Sequence, residues 1–439
     1  MKDLTSGNIY KNFILFAIPM VLSGMLSQAY STIDTVIAGK FIGDTALAAV
    51  GATSPLISFM SSIFWGFGVG FAVYVARLFG AGEYIKIKNV IYTCLIISGA
   101  VLLTVSALLI IFKGPVFSLF NISQNSDTVT YFVCYMAGFV FIILSSYGVF
   151  LTNSLGIGSF PFIMSILSAI LNISGNIFTV VFLGWGVFGL AISSVIAAMA
   201  VCICYVFKFR KCYKEMGVLK EKTSFDKNGF KSSARYAVPN MTQQMIMYAS
   251  GMLVSPMINK MGTTATAAYT VAQKTYDINA SVYQNSSKTV SNYTSQACGA
   301  RKYHLLKKGI KVGAIQAVLF ALPFILACFL FPKTIAGFFF DSDASLESIE
   351  YATLFMSRFL PFIVINIFAN LFHSYFRGLG EKAPLMLSTL CGSITRIVLS
   401  FILIPKMGMT GMYIAWVAFW ITDAIVCILF YFKSKKSYK

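Results

Sequence analysis

Charge is scarce in this 439-residue chain: Asp, Glu, Lys and Arg make up 11% of it, where an ordinary soluble domain carries about 25%. So few charges cannot cover a water-facing surface of this size, which excludes a soluble enzyme, a nucleic-acid-binding protein and a disordered hub. Histidine is almost absent, with only His304 and His373. The nine cysteines lie mostly in apolar runs without ligand spacing, so they read as small hydrophobes and no zinc site is expected. The sequence contains no G-x-x-x-x-G-K-[ST], so nothing implies nucleotide hydrolysis. No enzymatic activity and no organic cofactor are expected.

What is abundant is apolar. Hydrophobic residues reach 57% and aromatics 15%, with 41 Phe, and the mean hydropathy is +0.78. Lipid is the natural solvent for such a chain. Stretches of about 20 apolar residues cross the hydrocarbon, and twelve are read at 12–36, 48–76, 88–112, 131–154, 161–183, 188–208, 234–258, 268–295, 310–331, 351–374, 384–404 and 411–432. Backbone groups cannot stay unpaired in lipid, so each is expected to be a helix. The polar start, Met1 to Tyr10, has no small-residue cleavage site after the first run, so that run is expected to remain as a span.

Orientation follows from the basic residues. With the N-terminus cytoplasmic, the inside segments hold 25 Lys and Arg and the outside loops five, Lys40, Lys113, Lys260, Lys333 and Lys406. That bias predicts both termini in the cytoplasm and a multi-pass protein of the plasma membrane. The formal charge of +19 is thereby read as a topology signal rather than a nucleic-acid surface.

The chain repeats at half its length. Ala17-Ile18-Pro19 returns as Ala237-Val238-Pro239, Gly43 and Ala46 as Gly262 and Ala265, and Gly80-Ala81 with Tyr84 as Gly299-Ala300 with Tyr303. Gly156 and Gly158 return as Gly378 and Gly380, and Gly186 and Gly189 as Gly408 and Gly411. Five echoes in one order, at offsets of 219 to 222, indicate a duplication. The expected fold is an all-α polytopic membrane protein of twelve transmembrane helices. They form two six-helix lobes, 1–210 and 234–439, joined by a cytoplasmic linker at 211–233. Six is even, so both halves enter from the same side and are related by pseudo-two-fold symmetry along the membrane normal. This is the plan of an alternating-access carrier for small molecules, expected to work as a monomer in the bilayer.

Three acidic residues fall within spans, Asp34, Asp277 and Asp423. A carboxylate at mid-membrane costs roughly 2.5–3.5 kcal/mol on insertion scales, so it usually faces a cavity or a partner. Two readings of Asp34 stand from the residues alone: a cation-binding or titrating group, or a solvated group near the outer headgroups. Lys274 lies one turn from Asp277 and neutralises it on one reading. With Lys288 and Arg396 these form an expected polar network of the C-terminal half. Met20, Gln28, Tyr30, Phe64, Tyr147, Gln243, Tyr248, Met252 and Tyr283 offer aromatic and thioether surface for cationic, amphipathic molecules. Core packing accounts for each of them equally.

Several segments together resemble the multidrug and toxin extrusion (MATE) transporters. They are Thr5-Ser6-Gly7-Asn8 running to Ala17-Ile18-Pro19, Asp34-Thr35 with Gly39-Lys40, and the Gly43-Asp44 loop to Val50. Gly80-Ala81-Gly82, Gln273-Lys274, Arg377-Gly378-x-Gly380 and Arg396 complete the pattern. Gln243 and Gln244 stand in helix 7 where the NorM branch places a Glu, so the pattern is nearer the bacterial DinF-like branch. The resemblance implies a V-shaped two-lobe fold that exports cationic drugs or toxic metabolites in exchange for inward sodium ions or protons. It implies coupling at Asp34 with Asn172, Asn176 and Ser194, and a hinge in helix 1 at Pro19. Asn176 departs from the family pattern, which has Asp there, so a bound sodium ion, the one metal implied, would meet one formal charge rather than two. The competing reading is a flippase for lipid-linked oligosaccharides or other lipids in the same superfamily. It predicts a more cationic cleft and often fourteen spans.

Overall fold

Backbone groups surrounded by hydrocarbon must pair within the chain, and in the computed structural model of the protein they pair in helices, with no strand among the described residues. The structure describes every residue except Asn121, 341–344 and 435–439, and omits the side chains of Ser31, Thr32, Thr35, Val36, Ala38, Gly39, Asp44, Thr45, Leu47 and Ser434. The motif positions Thr35, Gly39, Asp44 and Leu47 therefore lie outside the described side chains. In chain order the helices begin with α1 (Ile9–Ile37), α2 (Asp44–Gly80) and α3 (Tyr84–Ile111). Next is α4 (Ser126–Ala137 and Phe139–Ser154), bent by 50°. Then come α5 (Ser159–Asn176), continued by a π-helical turn Ile177–Phe182, and α6 (Gly186–Glu215). The second half opens with α7 (Lys227–Asn259), α8 (Thr263–Gly299) and α9 (Leu306–Leu330). In α10 (Leu346–Leu354 and Ile363–Leu379) the two parts join through Phe355–Phe359 and Leu360–Phe362, where Pro361 lacks the N–H that would continue the ladder.

The remaining helix, Lys382–Ser434, is 53 residues long, about 80 Å at 1.5 Å per residue, too long for one crossing. It breaks at Gly408, whose backbone (φ 58, ψ −134) is non-helical, giving α11 (382–407) and α12 (409–434). Every one of the twelve expected spans thus coincides with a helix. Among the described residues eight helical runs are apolar and long enough to cross a membrane, and the bent α4 makes a ninth. Splitting the last run adds a tenth. The exceptions are α7 and α8, read from sequence as apolar. Helix α8 buries Ser286, Ser287, Thr289, Ser291, Asn292, Thr294, Ser295 and Gln296, which protein rather than lipid must surround.

The chain divides into two compact units, one of Met1–Asp3 with Leu22–Met241, the other of Leu4–Val21 with the chain from Thr242 onward. Apart from the one at Asp3, the divisions fall inside helices, two residues beyond Pro19 in α1 and two beyond Pro239 in α7, the pair that the repeat equates. In the first unit, Phe71, Val75, Ile91, Leu151 and Tyr205 form one core cluster, and Leu56, Leu102, Phe117, Phe132 and Tyr147 another. The start of α7 joins this unit through backbone contact. A Cβ on Gly70 would stand 2.4 Å from Ala237 Cα, and one on Gly66 2.6 Å from Met241 Cα. This is a small-xxx-small approach of two helices. In the second unit Phe355 stacks on Trp416 and Tyr276 on Trp420. The first turns of α1 pack Phe13 edge-on to Tyr293 at 5.1 Å.

Lys88, counted from sequence among the cations of the inside segments, is a buried anchor. Its Nζ donates to the carbonyls of Val218, Leu219 and Glu221 at 3.0, 3.1 and 2.7 Å, pinning the segment between α6 and α7 to α3. Lys88→Met leaves those carbonyls without their donor. Because hydrogen bonds to a charged group contribute about 1.5–3 kcal/mol, the purified variant should melt several degrees lower and be cut faster by protease near Val218. An unchanged melting curve contradicts the anchor.

Candidate functional site in the first unit

Helix periodicity places Asn172 and Asn176 one turn apart on the same face of α5, and both are buried. Asp34 comes to them from α1 and Ser194 from α6. Asn176 Nδ2 donates to Asp34 Oδ1 at 2.6 Å. With the Asn172 amide turned nitrogen-first to the carboxylate, its Nδ2 donates to Asp34 Oδ1 at 2.6 Å and Oδ2 at 3.3 Å, while its oxygen accepts from Ser194 Oγ at 2.9 Å. Asn172 and Asn176 therefore meet at the Asp34 carboxylate, where two short charge-assisted hydrogen bonds converge on one oxygen, and Ser194 joins the group through Asn172. Asn176 Oδ1 is buried with no hydrogen-bond partner. The seam between α5 and α6 continues in polar contact through Thr179 Oγ1 and Ser193 Oγ, 3.1 Å apart. The π-helical turn begins directly after Asn176, and such turns recur at functional sites. Tyr30 and Tyr131 stand within electrostatic reach of Asp34.

The same four groups allow a second arrangement. If the Asn172 amide is turned oxygen-first, its oxygen faces Asp34 and its Nδ2 donates to Ser194 Oγ at 2.9 Å. Two facing oxygens suit a carboxylate that carries a proton or a cation, whereas the nitrogen-first orientation suits the free anion.

Pro19 lies within the continuous helix α1, fifteen residues before Asp34. Of the nine expected lining residues, four are packed in the core. Met20 packs in the cluster of Phe13, Phe16 and Tyr293, and Tyr147 among Leu56, Phe132 and Phe139. Tyr283 is buried with its hydroxyl accepting from Asn366 Nδ2 at 2.9 Å, and Gln243 is buried against His373 and Thr389. Gln28, Tyr30, Phe64, Tyr248 and Met252 are half-buried.

The expected polar network of the second unit is also redrawn. Asp277 accepts from Gln273 Nε2 at 2.9 Å, and Lys274, exposed one turn away, acts on it electrostatically. Gln273 in turn accepts from Tyr269 at 3.4 Å, and Tyr269 from Arg396 at 3.5 Å, so Arg396 meets Asp277 only through two intermediaries. Arg396 also lies over the Trp416 ring at 5.3 Å. Lys288 donates to Asn285 Oδ1 at 2.8 Å on its own helix. Sequence reasoning missed a different cluster here, in which His373, Ser388, Asp423 and Cys427 are all buried. The signal for it was present, since His373 is the one histidine in a span and Asp423 one of three acidic residues there.

Comparison with known proteins places this geometry in context. The MatE family model matches residues 19–178 and 239–402, two segments that begin at Pro19 and Pro239. The probable multidrug resistance protein YoeA of Bacillus subtilis is 24% identical over 355 residues, covering 77% of this chain and 75% of its own. The FAD transporter of Shewanella oneidensis is 22% identical over 425 residues, covering 93% and 90%. Among solved structures, the outward-facing conformation of a multidrug resistance MATE family transporter superimposes with a TM-score of 0.92 at 20% identity, covering 100% of this chain and 98% of its own.

Proposed function

The chain belongs to the MatE family, and from that premise we propose that it is a secondary active antiporter of the plasma membrane. Its cargo is amphipathic, mainly cationic drugs or toxic metabolites, expelled by alternating access as sodium ions or protons enter. The observation that carries the reading is the Asp34 cluster: a lone carboxylate met by Asn172, Asn176 and, through Asn172, Ser194. Oxygen donors around one carboxylate suit a hard monovalent cation or a proton. The unpartnered Asn176 Oδ1 supplies a further oxygen toward such a guest. Binding turns Asn172 from nitrogen-first to oxygen-first and passes the change to Ser194 on α6. The multidrug resistance protein and the multidrug resistance MATE transporter among the relatives above support drugs as cargo, and the basic residues of the inside segments support cytoplasmic termini.

One inward charge across 100 mV releases roughly 2.3 kcal/mol, enough for about a fortyfold gradient of an uncharged cargo. For an uncharged cargo a single coupling carboxylate is therefore sufficient, whereas one-for-one exchange against a monocation moves no net charge and is driven by the concentration gradient of the entering ion. The test is efflux from proteoliposomes under imposed sodium or proton gradients with cationic and anionic dyes. Cationic dye should move faster under one inward ion gradient and stop when that gradient collapses; movement indifferent to both ions contradicts antiport. Asn176→Asp adds the second formal charge. It should raise the sodium dependence of transport about tenfold or more, by the cost of about 1.4 kcal/mol per decade, and an unaltered sodium dependence removes Asn176 from the site.

A further inference from the structure

The second unit holds a buried polar relay whose direction is fixed by chemistry. Arg377 Nη2 donates to Gln243 Oε1 at 3.2 Å. A guanidinium only donates, so the Gln243 oxygen must face Arg377 and its nitrogen must face the other way. That nitrogen reaches Thr389 Oγ1 at 3.1 Å and His373 Nδ1 at 3.1 Å. An amide NH2 has no lone pair to offer, so Nδ1 accepts and the ring hydrogen sits on Nε2. There it faces Asp423 Oδ1 at 3.1 Å, with Ser388 Oγ alongside at 2.9 Å. Arg377 thereby sets the tautomer of a ring from which Gln243 separates it.

We propose that His373 is a proton-binding site of the second unit, and that a proton arriving at Nδ1 breaks the Gln243 link that joins α7 to α10. The proton adds to the Nδ1 lone pair, Nε2 keeps its hydrogen for Asp423, and the ring passes from neutral to imidazolium. Nδ1–H then confronts the Gln243 NH2, and that hydrogen bond is lost. Gln243 cannot present its oxygen instead without turning its NH2 on Arg377. Loading the ring therefore forces Gln243, Arg377 or both to move. The Asp423 carboxylate favours the charged ring.

The groups around the ring are few. Among the described residues, Asp423 and Cys427 face it from α12, the Ser388 hydroxyl from α11 and the Gln243 amide from α7. Arg377 lies one turn along α10, and Lys288 of α8 is an electrostatic neighbour of Arg377. The charged residues of α9, Lys307, Lys308 and Lys311, are exposed.

The test exploits the two-histidine composition. In the full chain carrying His304→Gln, an exposed position, nitrogen-15 histidine NMR in lipid nanodiscs reads a single ring. The expected result is the Nε2–H tautomer near pH 11, giving way to a ring protonated on both nitrogens on titration to about pH 5. Gln243→Glu gives Nδ1–H a carboxylate and should hold the imidazolium throughout. An Nδ1–H tautomer at high pH, or a wild-type ring fixed in one state across the range, overturns the site. Its role in transport rests on the antiport reading above. A titrating ring in a chain that moves no substrate overturns that reading alone.

Discussion

Asp34→Asn is expected to reduce gradient-driven efflux to the rate of protein-free vesicles while leaving the protein folded and in the membrane. The reason lies in the partners. Asn172 and Asn176 both direct hydrogen-bond donors at this carboxylate. An amide there retains one acceptor oxygen, and the Asn172 amide can turn to suit the new NH2. The expected loss of stability is therefore small, about 1 kcal/mol, whereas the ability to hold and release a cation disappears altogether. Efflux in proteoliposomes and the melting curve, measured on the same preparation, separate the two effects. Full efflux by the variant removes Asp34 from the mechanism, and a collapsed melting curve makes the residue structural.

Gly70→Leu is expected to have the largest effect on folding. A side chain at Gly70 enters the space of the Ala237 backbone, 2.4 Å away from the first added carbon. Neither helix can yield without breaking the contact that places the start of α7 in the first unit. Overpacking of this kind costs about 3 kcal/mol or more. The variant should express poorly and melt well below the parent chain. Gly251→Ala is the control, since a Cβ at Gly251 meets nothing within 4 Å and alanine favours a helix by up to about 1 kcal/mol. Equal melting of Gly70→Leu and the parent chain shows the close approach to be unimportant.

Much of this was written in the sequence in a form that spacing and composition expose. Twelve runs and a half-length repeat are local patterns, and the two segments matched by one family model begin at the same proline pair. Asn172 and Asn176 were paired by helical spacing within one helix, while their meeting with Asp34 and Ser194 rested on the family pattern. What composition hid was the polarity of α8, because small hydroxyl residues can be buried inside a bundle as readily as alanine. What spacing hid were pairs far apart in the chain. His373 meets Asp423 across 50 residues and Gln243 across 130, and no single-helix period links such positions. The burial of Lys88 was hidden for a related reason. A lysine at a helix start is ordinarily solvated, and only the return of residues 218–221 supplies the carbonyls that bury it.

The most direct measurement is ion release from purified protein on addition of a cationic dye, followed in a weakly buffered solution with proton- and sodium-sensitive electrodes. Competition for one loaded site requires each ligand to weaken the other reciprocally. Wild-type protein should release about one cation per dye molecule bound, and Asp34→Asn should bind dye and release none. Dye binding that frees no ion from the wild type, or frees the same amount from both proteins, contradicts an exchange centred on Asp34.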